Sequence, residues 1–258
     1  MDYGICDLSL ICLRSEPSHK SEIVSQLLFG ETCQVLEKKP EWLRIRADYD
    51  DYEGWIDRKQ FRQITANLFK KLSGQKNPIA LEAVNAAAGS GKKRLILIGS
   101  TLPEFDGMNF KIGDEQFVYN GQAIIPGNNY DYDKIIEKCA MRFLYAPYQW
   151  GGRGPFGIDC SGFTQVVFKL LGVPLKRDAY QQAQQGRDVD FIDLAKEGDL
   201  AFFENKEGRI SHVGIVLKDK RLIHASGRVR VDRIDTFGIY NEETKKYSHN
   251  LKMIKRVL

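Results

Sequence analysis

The stretch Gly157-Ile158-Asp159-Cys160-Ser161-Gly162-Phe163 sets a cysteine between glycines, directly before an apolar run from Phe163 to Leu171 that reads as a helix. A thiol becomes a nucleophile on losing its proton, and the partial positive charge and free N–H groups of a helix start lower its pKa. The pattern therefore predicts an exposed, electropositive setting for Cys160. Downstream, Ser211-His212-Val213-Gly214-Ile215-Val216 puts a histidine at the head of an apolar strand, and Leu222-Ile223-His224-Ala225 puts a second on the next strand. A turn around Lys218-Asp219-Lys220-Arg221 would pair the two strands as a hairpin, and the even offset between the histidines favours a common sheet face. Cysteine, base and orienting residue in that order form a nucleophilic triad.

Other residues of the same types carry blander readings. Cys6, Cys12, Cys33 and Cys139 read as small buried hydrophobes. His19, in Pro17-Ser18-His19-Lys20, and His249, in Tyr247-Ser248-His249-Asn250, read as solvated loop histidines without a role. Asp159 stands where it could cap the helix that follows the cysteine.

The flanking elements must bring these groups together. Between 131 and 145 the apolar residues Ile135, Ile136, Cys139, Ala140, Phe143 and Leu144 fall three and four apart, as on a helix face, with Asp131 or Asp133 as its cap. Pro147 ends that helix, and the glycines of Tyr148-Gln149-Trp150-Gly151-Gly152 permit a tight loop near the cysteine, with Tyr148 and Trp150 as candidate walls. The first sixty residues differ in character: short alternating runs at 26–29, 33–36, 42–45 and 54–56, separated by turn formers, read as all-β. Residues 60–71 read as a linker or one amphipathic turn, and the Ala-rich stretch 81–88 as a short helix before Gly89-Ser90-Gly91. Arg94 to Gly99 and Phe117 to Gly121 read as strands of a second β domain.

Taken together, Tyr148-Gln149-Trp150-Gly151-Gly152, Asp159-Cys160-Ser161-Gly162-Phe163, Glu197-Gly198-Asp199-Leu200-Ala201-Phe202-Phe203, His212-Val213-Gly214-Ile215 and His224-Ala225 resemble, in order and spacing, the NlpC superfamily of cell-wall cysteine peptidases. The N-terminal runs, among them Leu27-Leu28-Phe29-Gly30-Glu31 and Glu53-Gly54-Trp55-Ile56-Asp57, resemble a bacterial SH3-like barrel. The resemblance implies an α+β papain-like catalytic domain at 129–258, preceded by two small all-β SH3-like barrels at 1–62 and 63–128. It implies Cys160 as nucleophile, His212 as general base, His224 as the residue that orients it, and Tyr148 as a wall residue and oxyanion donor beside the thiol. It also implies peptidoglycan stem peptides as substrates, cut between the γ-carboxyl of D-glutamate and L-Lys or meso-diaminopimelate.

One branch of the superfamily with N-terminal SH3-like domains requires a free N-terminal L-alanine, and its pocket must neutralise an ammonium group with buried acceptors. Arg177-Asp178-Ala179 matches that branch's Arg-Asp-Ser pattern except at Ala179, which lacks the hydroxyl. Asp178 is the expected ammonium partner, with Tyr52 and Glu31 of the first barrel completing the pocket, and Asp159 and Ser161 beside the thiol join the substrate-binding set. Two other classes stay open: a broader endopeptidase or amidase on intact wall, and a non-catalytic wall-binding module.

Composition narrows the field. The 258 residues carry 43% hydrophobic and 28% charged side chains, enough for a sizeable core. A net charge of +4 from 38 basic and 34 acidic residues, interspersed along the chain, argues against a nucleic-acid partner. No apolar run approaches the roughly 18 residues of a membrane span. Five cysteines at irregular spacing suggest neither disulfides nor zinc, and no cofactor or metal is implied. The N-terminus lacks a basic region followed by an apolar one, so a cytoplasmic setting is expected unless a leader has been removed. A monomer is the default expectation.

Overall fold

The computed structural model describes residues 1–89, 91–127 and 131–258; Ser90, the side chain of Asp133 and the expected domain boundary at 128/129 lie outside the described residues. The chain divides into two compact units, one of residues 1–128 with 150–157, the other of 129–149 with 158–258.

In the first unit, strands β1 (Tyr3–Ile5), β2 (Leu10–Arg14), β3 (Ile23–Leu28), β4 (Thr32–Lys38), β5 (Trp42–Ala47), β6 (Glu53–Asp57) and β7 (Arg62–Ile64) form one antiparallel sheet ordered β3-β2-β6-β5-β4-β1-β7. Alternation along β5 buries Leu43, Ile45 and Ala47, while Arg44 and Arg46 turn outward to Glu53. Helix α1 (Ala66–Ser73) is capped by Thr65 and buries Phe69 and Leu72, so the expected linker 60–71 holds strand β7 and most of a helix. Strands β8 (Ile79–Ala80), β9 (Val84–Gly89), β10 (Lys92–Leu97), β11 (Asn109–Ile112), β12 (Glu115–Tyr119) and β13 (Ala123–Ile124) follow, as a sheet ordered β10-β9-β12-β11 and a β8–β13 pair.

The helix expected at 81–88 is instead strand β9. Alanine favours helices, but here the small side chains lie in register with β10, Val84 opposite Leu97 and Ala87 opposite Arg94, and Ala87 is fully buried. Tertiary pairing overrides a propensity of under 1 kcal/mol per residue. Ile5 and Phe29 share a buried cluster with Phe69, Leu72, Ile96, Phe110 and Phe117, which is why the segments 1–62 and 63–128 fall in one unit.

The first unit also contains 150–157, a segment with the short strand β14 (Arg153–Gly154) that leads to β15 (Gly157–Ile158). Gly151 has φ +75°, and a Cβ there would lie 2.2 Å from the carbonyl oxygen of Ile23. Neither the dihedral nor the approach admits another residue. Next to it Arg153 is buried and bidentate on Glu31, with Nη1 donating to Oε2 at 2.7 Å and Nη2 to Oε1 at 2.9 Å.

In the second unit, α2 (Tyr132–Met141) buries Ile136, Cys139 and Ala140 on the face that the spacing predicts. Helix α3 (Cys160–Leu171) is buried along its whole length and ends at Gly172 in the left-handed region, φ 82°. After α4 (Ala179–Gln182) come β16 (Arg187–Asp188), β17 (Leu200–Glu204), β18 (Ile210–Leu217), β19 (Arg221–Ser226), β20 (Arg228–Ile234), β21 (Gly238–Asn241) and β22 (Lys246–Arg256). The sheet runs β16-β22-β17-β18-β19-β20-β21, and β21 pairs back onto β22, closing a ring. Helix α3 packs against β18 and β19, the two strands that carry His212 and His224.

Candidate active site

The hairpin β18–β19 sets Gly214 opposite His224, so His212, two residues before Gly214, lies on the same sheet face and diagonal to His224. A Cβ on Gly214 would sit 2.8 Å from Leu222 Cδ2 and 3.0 Å from His224 Cβ, so the glycine leaves room for the second histidine. His212 Nε2 and His224 Nδ1 are 2.8 Å apart, with the rings edge to face. Beyond them, His224 Nε2 lies 3.0 Å from Asp232 Oδ2 on β20.

Cys160 opens α3, and the backbone N–H groups of Val213, the neighbour of His212, and of Ser161 act on its thiol to lower the pKa. The thiol is buried, not exposed as the glycine-flanked sequence predicts, and its pKa is pushed up to about 12. Burial is the main cause and the adjacent Asp159 charge the second; Val213 N–H, Arg177 and Ser161 N–H pull the other way. His212 is held well below the usual imidazole range, first by burial and then by the neighbouring His224 and His249. Burial thus favours the neutral form of both the thiol and the imidazole.

Asp159 caps α3 by accepting from Gly162 N–H at 2.7 Å and holds Arg177 through both oxygens, Nη1 at 3.0 Å and Nη2 at 2.6 Å. Ser161 Oγ accepts from the same Arg177 at 2.9 Å. Both residues are buried, and these bonds fix the start of the cysteine helix. Tyr148 is exposed in the same unit; burial, then the charges of Cys160 and Asp159, push its phenol up to about 12, so it stays neutral. Asp178 heads α4, and its N–H donates to Gln181 Oε1 at 3.2 Å. Glu31 and Tyr52 belong to the first unit. Glu31 accepts from Arg153 and from Leu28 N–H at 2.8 Å, and Tyr52 packs on the first barrel's core.

Three residues escape the sequence reading. His249, expected in a solvated loop, lies in β22 and stacks on His212 with ring centroids 4.2 Å apart and 22° between planes. Asp232 has no marker of its own in the sequence, and Arg177 enters it only as part of the Arg177-Asp178-Ala179 pattern, not as the partner of Asp159. A usable signal for Asp232 was the alternation Arg228, Arg230, Asp232 on the strand after His224, which puts charges on one face of a strand inside a sheet. Among the described residues, no group of three or more His, Cys, Asp or Glu side chains is arranged to hold a metal ion.

These buried groups set a pH dependence of stability. His212, His224 and His249 are all lowered, chiefly by burial, His249 to about 4. The unfolded chain takes up protons near the ordinary imidazole value of 6.5 while the folded chain does not, so stability falls as pH drops below about 6.5. Cys160 and Cys33, raised to about 12 by burial, stay neutral in the fold while unfolded thiols ionise near 9.0, so stability also falls above about pH 9. Urea midpoints are expected to peak between these limits; a midpoint still rising from pH 6.5 to 5 would contradict this assignment.

A cysteine at the start of a buried helix, set against a histidine pair on a ring of antiparallel strands, defines a papain-like cysteine peptidase. Residues 145–249 match the NlpC/P60 family and residues 13–61 the bacterial dipeptidyl-peptidase SH3 domain. The chain is 32% identical over 219 residues to a gamma-D-glutamyl-L-lysine dipeptidyl-peptidase of Bacillus subtilis, covering 79% of this chain and 72% of that one. It is 28% identical over 256 residues to a protein of the same name from Bacillus cereus, with 87% and 74% covered. The crystal structure of an NlpC/P60 family protein from Bacillus cereus superposes with a TM-score of 0.82 at 19% identity over 99% of both chains, which speaks to the fold. The chain belongs to the NlpC/P60 family of cysteine peptidases, with an N-terminal SH3-like region.

Proposed function

We propose that this peptidase hydrolyses the bond between γ-D-glutamate and L-Lys or meso-diaminopimelate in peptidoglycan stem peptides with a free N-terminal L-alanine, releasing L-Ala-D-Glu in the recycling of wall fragments. The observation that carries the chemistry is the 2.8 Å contact between His212 and His224, with Cys160 at the start of α3, the helix packed against the two strands that carry these histidines. The relatives named gamma-D-glutamyl-L-lysine dipeptidyl-peptidase support the bond assignment.

In this reading the neutral Cys160 thiol passes its proton to His212 as the sulfur attacks the γ-glutamyl carbonyl. The Cys160 N–H and the Tyr148 hydroxyl hold the oxyanion. His212 then protonates the departing amine and later activates the hydrolytic water. Asp178, half-buried at the start of α4, is the acceptor for the substrate ammonium. Glu31 has no part in that reading, because its carboxylate already holds a cation, Arg153.

Mass spectrometry of free and N-acylated L-Ala-γ-D-Glu-L-Lys, incubated with wild type and with Cys160→Ser, tests the proposal. Dipeptide released from the free peptide alone, by wild type alone, is the expected result. Equal cleavage of both peptides would remove the amine requirement and leave the peptidase; cleavage of neither would remove the substrate assignment.

A further inference from the structure

We propose that Asp232, acting through His224, decides which nitrogen of His212 receives the thiol proton, and is thus a positioning residue of the triad; this rests on the peptidase reading above. Asp232 is buried on β20 and bound by Arg230, Nε to Oδ2 at 2.6 Å and Nη2 to Oδ1 at 2.9 Å, which keeps it a carboxylate. A carboxylate only accepts, so the 3.0 Å contact to His224 Nε2 places a proton on that nitrogen. Neutral His224 then offers a lone pair at Nδ1. The 2.8 Å contact to His212 Nε2 accordingly requires His212 to donate from Nε2, which leaves its Nδ1 unprotonated. That is the tautomer of a general base.

When the sulfur attacks, the S–H bond breaks and an N–H bond forms at Nδ1, while an S–C bond forms as the carbonyl π bond breaks and its electron pair moves to oxygen. The proton stops at His212. The Asp232 charge, one ring removed, favours the imidazolium so formed, and the oriented His224 carries that influence. The other titratable or charged groups that act on the two rings are His249 from β22 and Arg230 from β20, and Cys160 opens α3, the helix packed against both strands. The competing view is that Asp232 only braces the strand through Arg230, which also holds Glu243 at 3.0 Å.

The test compares Asp232→Asn, Asp232→Glu and Glu243→Gln in kcat, KM and the pH profile of kcat/KM. A parallel readout needs no substrate: the rate at which iodoacetamide alkylates Cys160 as a function of pH, followed by mass spectrometry. Asp232→Asn is expected to lower kcat by on the order of 10- to 100-fold at unchanged KM. It is also expected to slow alkylation and to move the acid limb to lower pH, because the base loses a nearby negative charge. Asp232→Glu should recover part of the loss, and Glu243→Gln, which removes only the outer brace, should behave as wild type. Wild-type kcat in Asp232→Asn would overturn the proposal. So would a loss with the limb unmoved and no recovery in Asp232→Glu, which marks a brace. If no stem peptide is cleaved, the alkylation profile still decides the role of Asp232, so failure of the substrate assignment is separable from failure of this one.

Discussion

Cys160→Ala, Cys160→Ser and His212→Ala are each expected to lower kcat on the free tripeptide by on the order of 10,000-fold or more, while His224→Ala keeps a measurable fraction. No other sulfur can substitute: Cys6, Cys12 and Cys33 belong to the other unit, and Cys139 is buried on α2. Serine keeps the geometry, but its hydroxyl is far harder to deprotonate, and the site holds the thiol neutral even before that change. Removing His212 leaves His224, whose Nε2 is bonded to Asp232, and His249, which stacks on the lost ring, and neither takes the position on β18 from which His212 acts. Removing His224 only frees the His212 tautomer and orientation, and a fraction of molecules still presents the right nitrogen. Steady-state kinetics with product detection by mass spectrometry decides the order. A greater loss in His224→Ala than in His212→Ala would exchange the two roles.

The second large effect concerns stability. Arg153→Met is expected to destabilise the first unit by about 3–5 kcal/mol, because it removes the bidentate counter-charge of a buried carboxylate, Glu31. For a chain of this size that corresponds to a fall in Tm of roughly 10 °C. The double variant Arg153→Met with Glu31→Gln removes the charge as well as its partner and is expected to regain about half of the loss. Calorimetry on the three proteins measures this directly. An Arg153→Met melt superimposable on wild type would mean that water or a rearranged neighbour compensates the carboxylate.

The triad was legible because it is written in local terms: glycines around Cys160, apolar strands around His212 and His224, and an even offset that parity converts into a shared face. The register later showed why parity held, with Gly214 opposite His224 and the tight turn at 218–220 keeping the count. What the sequence did not reveal depends on non-local register or on burial. Asp232 reaches His224 only because β20 pairs with β19 so that Arg230 lies opposite His224 and Asp232 opposite Leu222. His249 sits in a polar stretch that looks like a loop, yet β22 carries it beside β17, and irregular pairing near Ser248 and Lys252 does not show in composition. The thiol pKa was misjudged for the same reason. A helix start lowers a pKa locally, whereas the larger opposing effect comes from everything packed around α3. The alanines of β9 show the reverse case, a clear local preference defeated by a partner strand.

The short stretch 150–157 groups with the first unit although the residues on both sides of it group with the second. Its arginine and the glutamate it grips are far apart in sequence but are one inseparable cassette. Anyone grafting residues 129–258 onto a different N-terminal domain must therefore carry Glu31 and its turn along, or redesign position 153, since a splice at the linear border would divide a buried charge from its counter-charge.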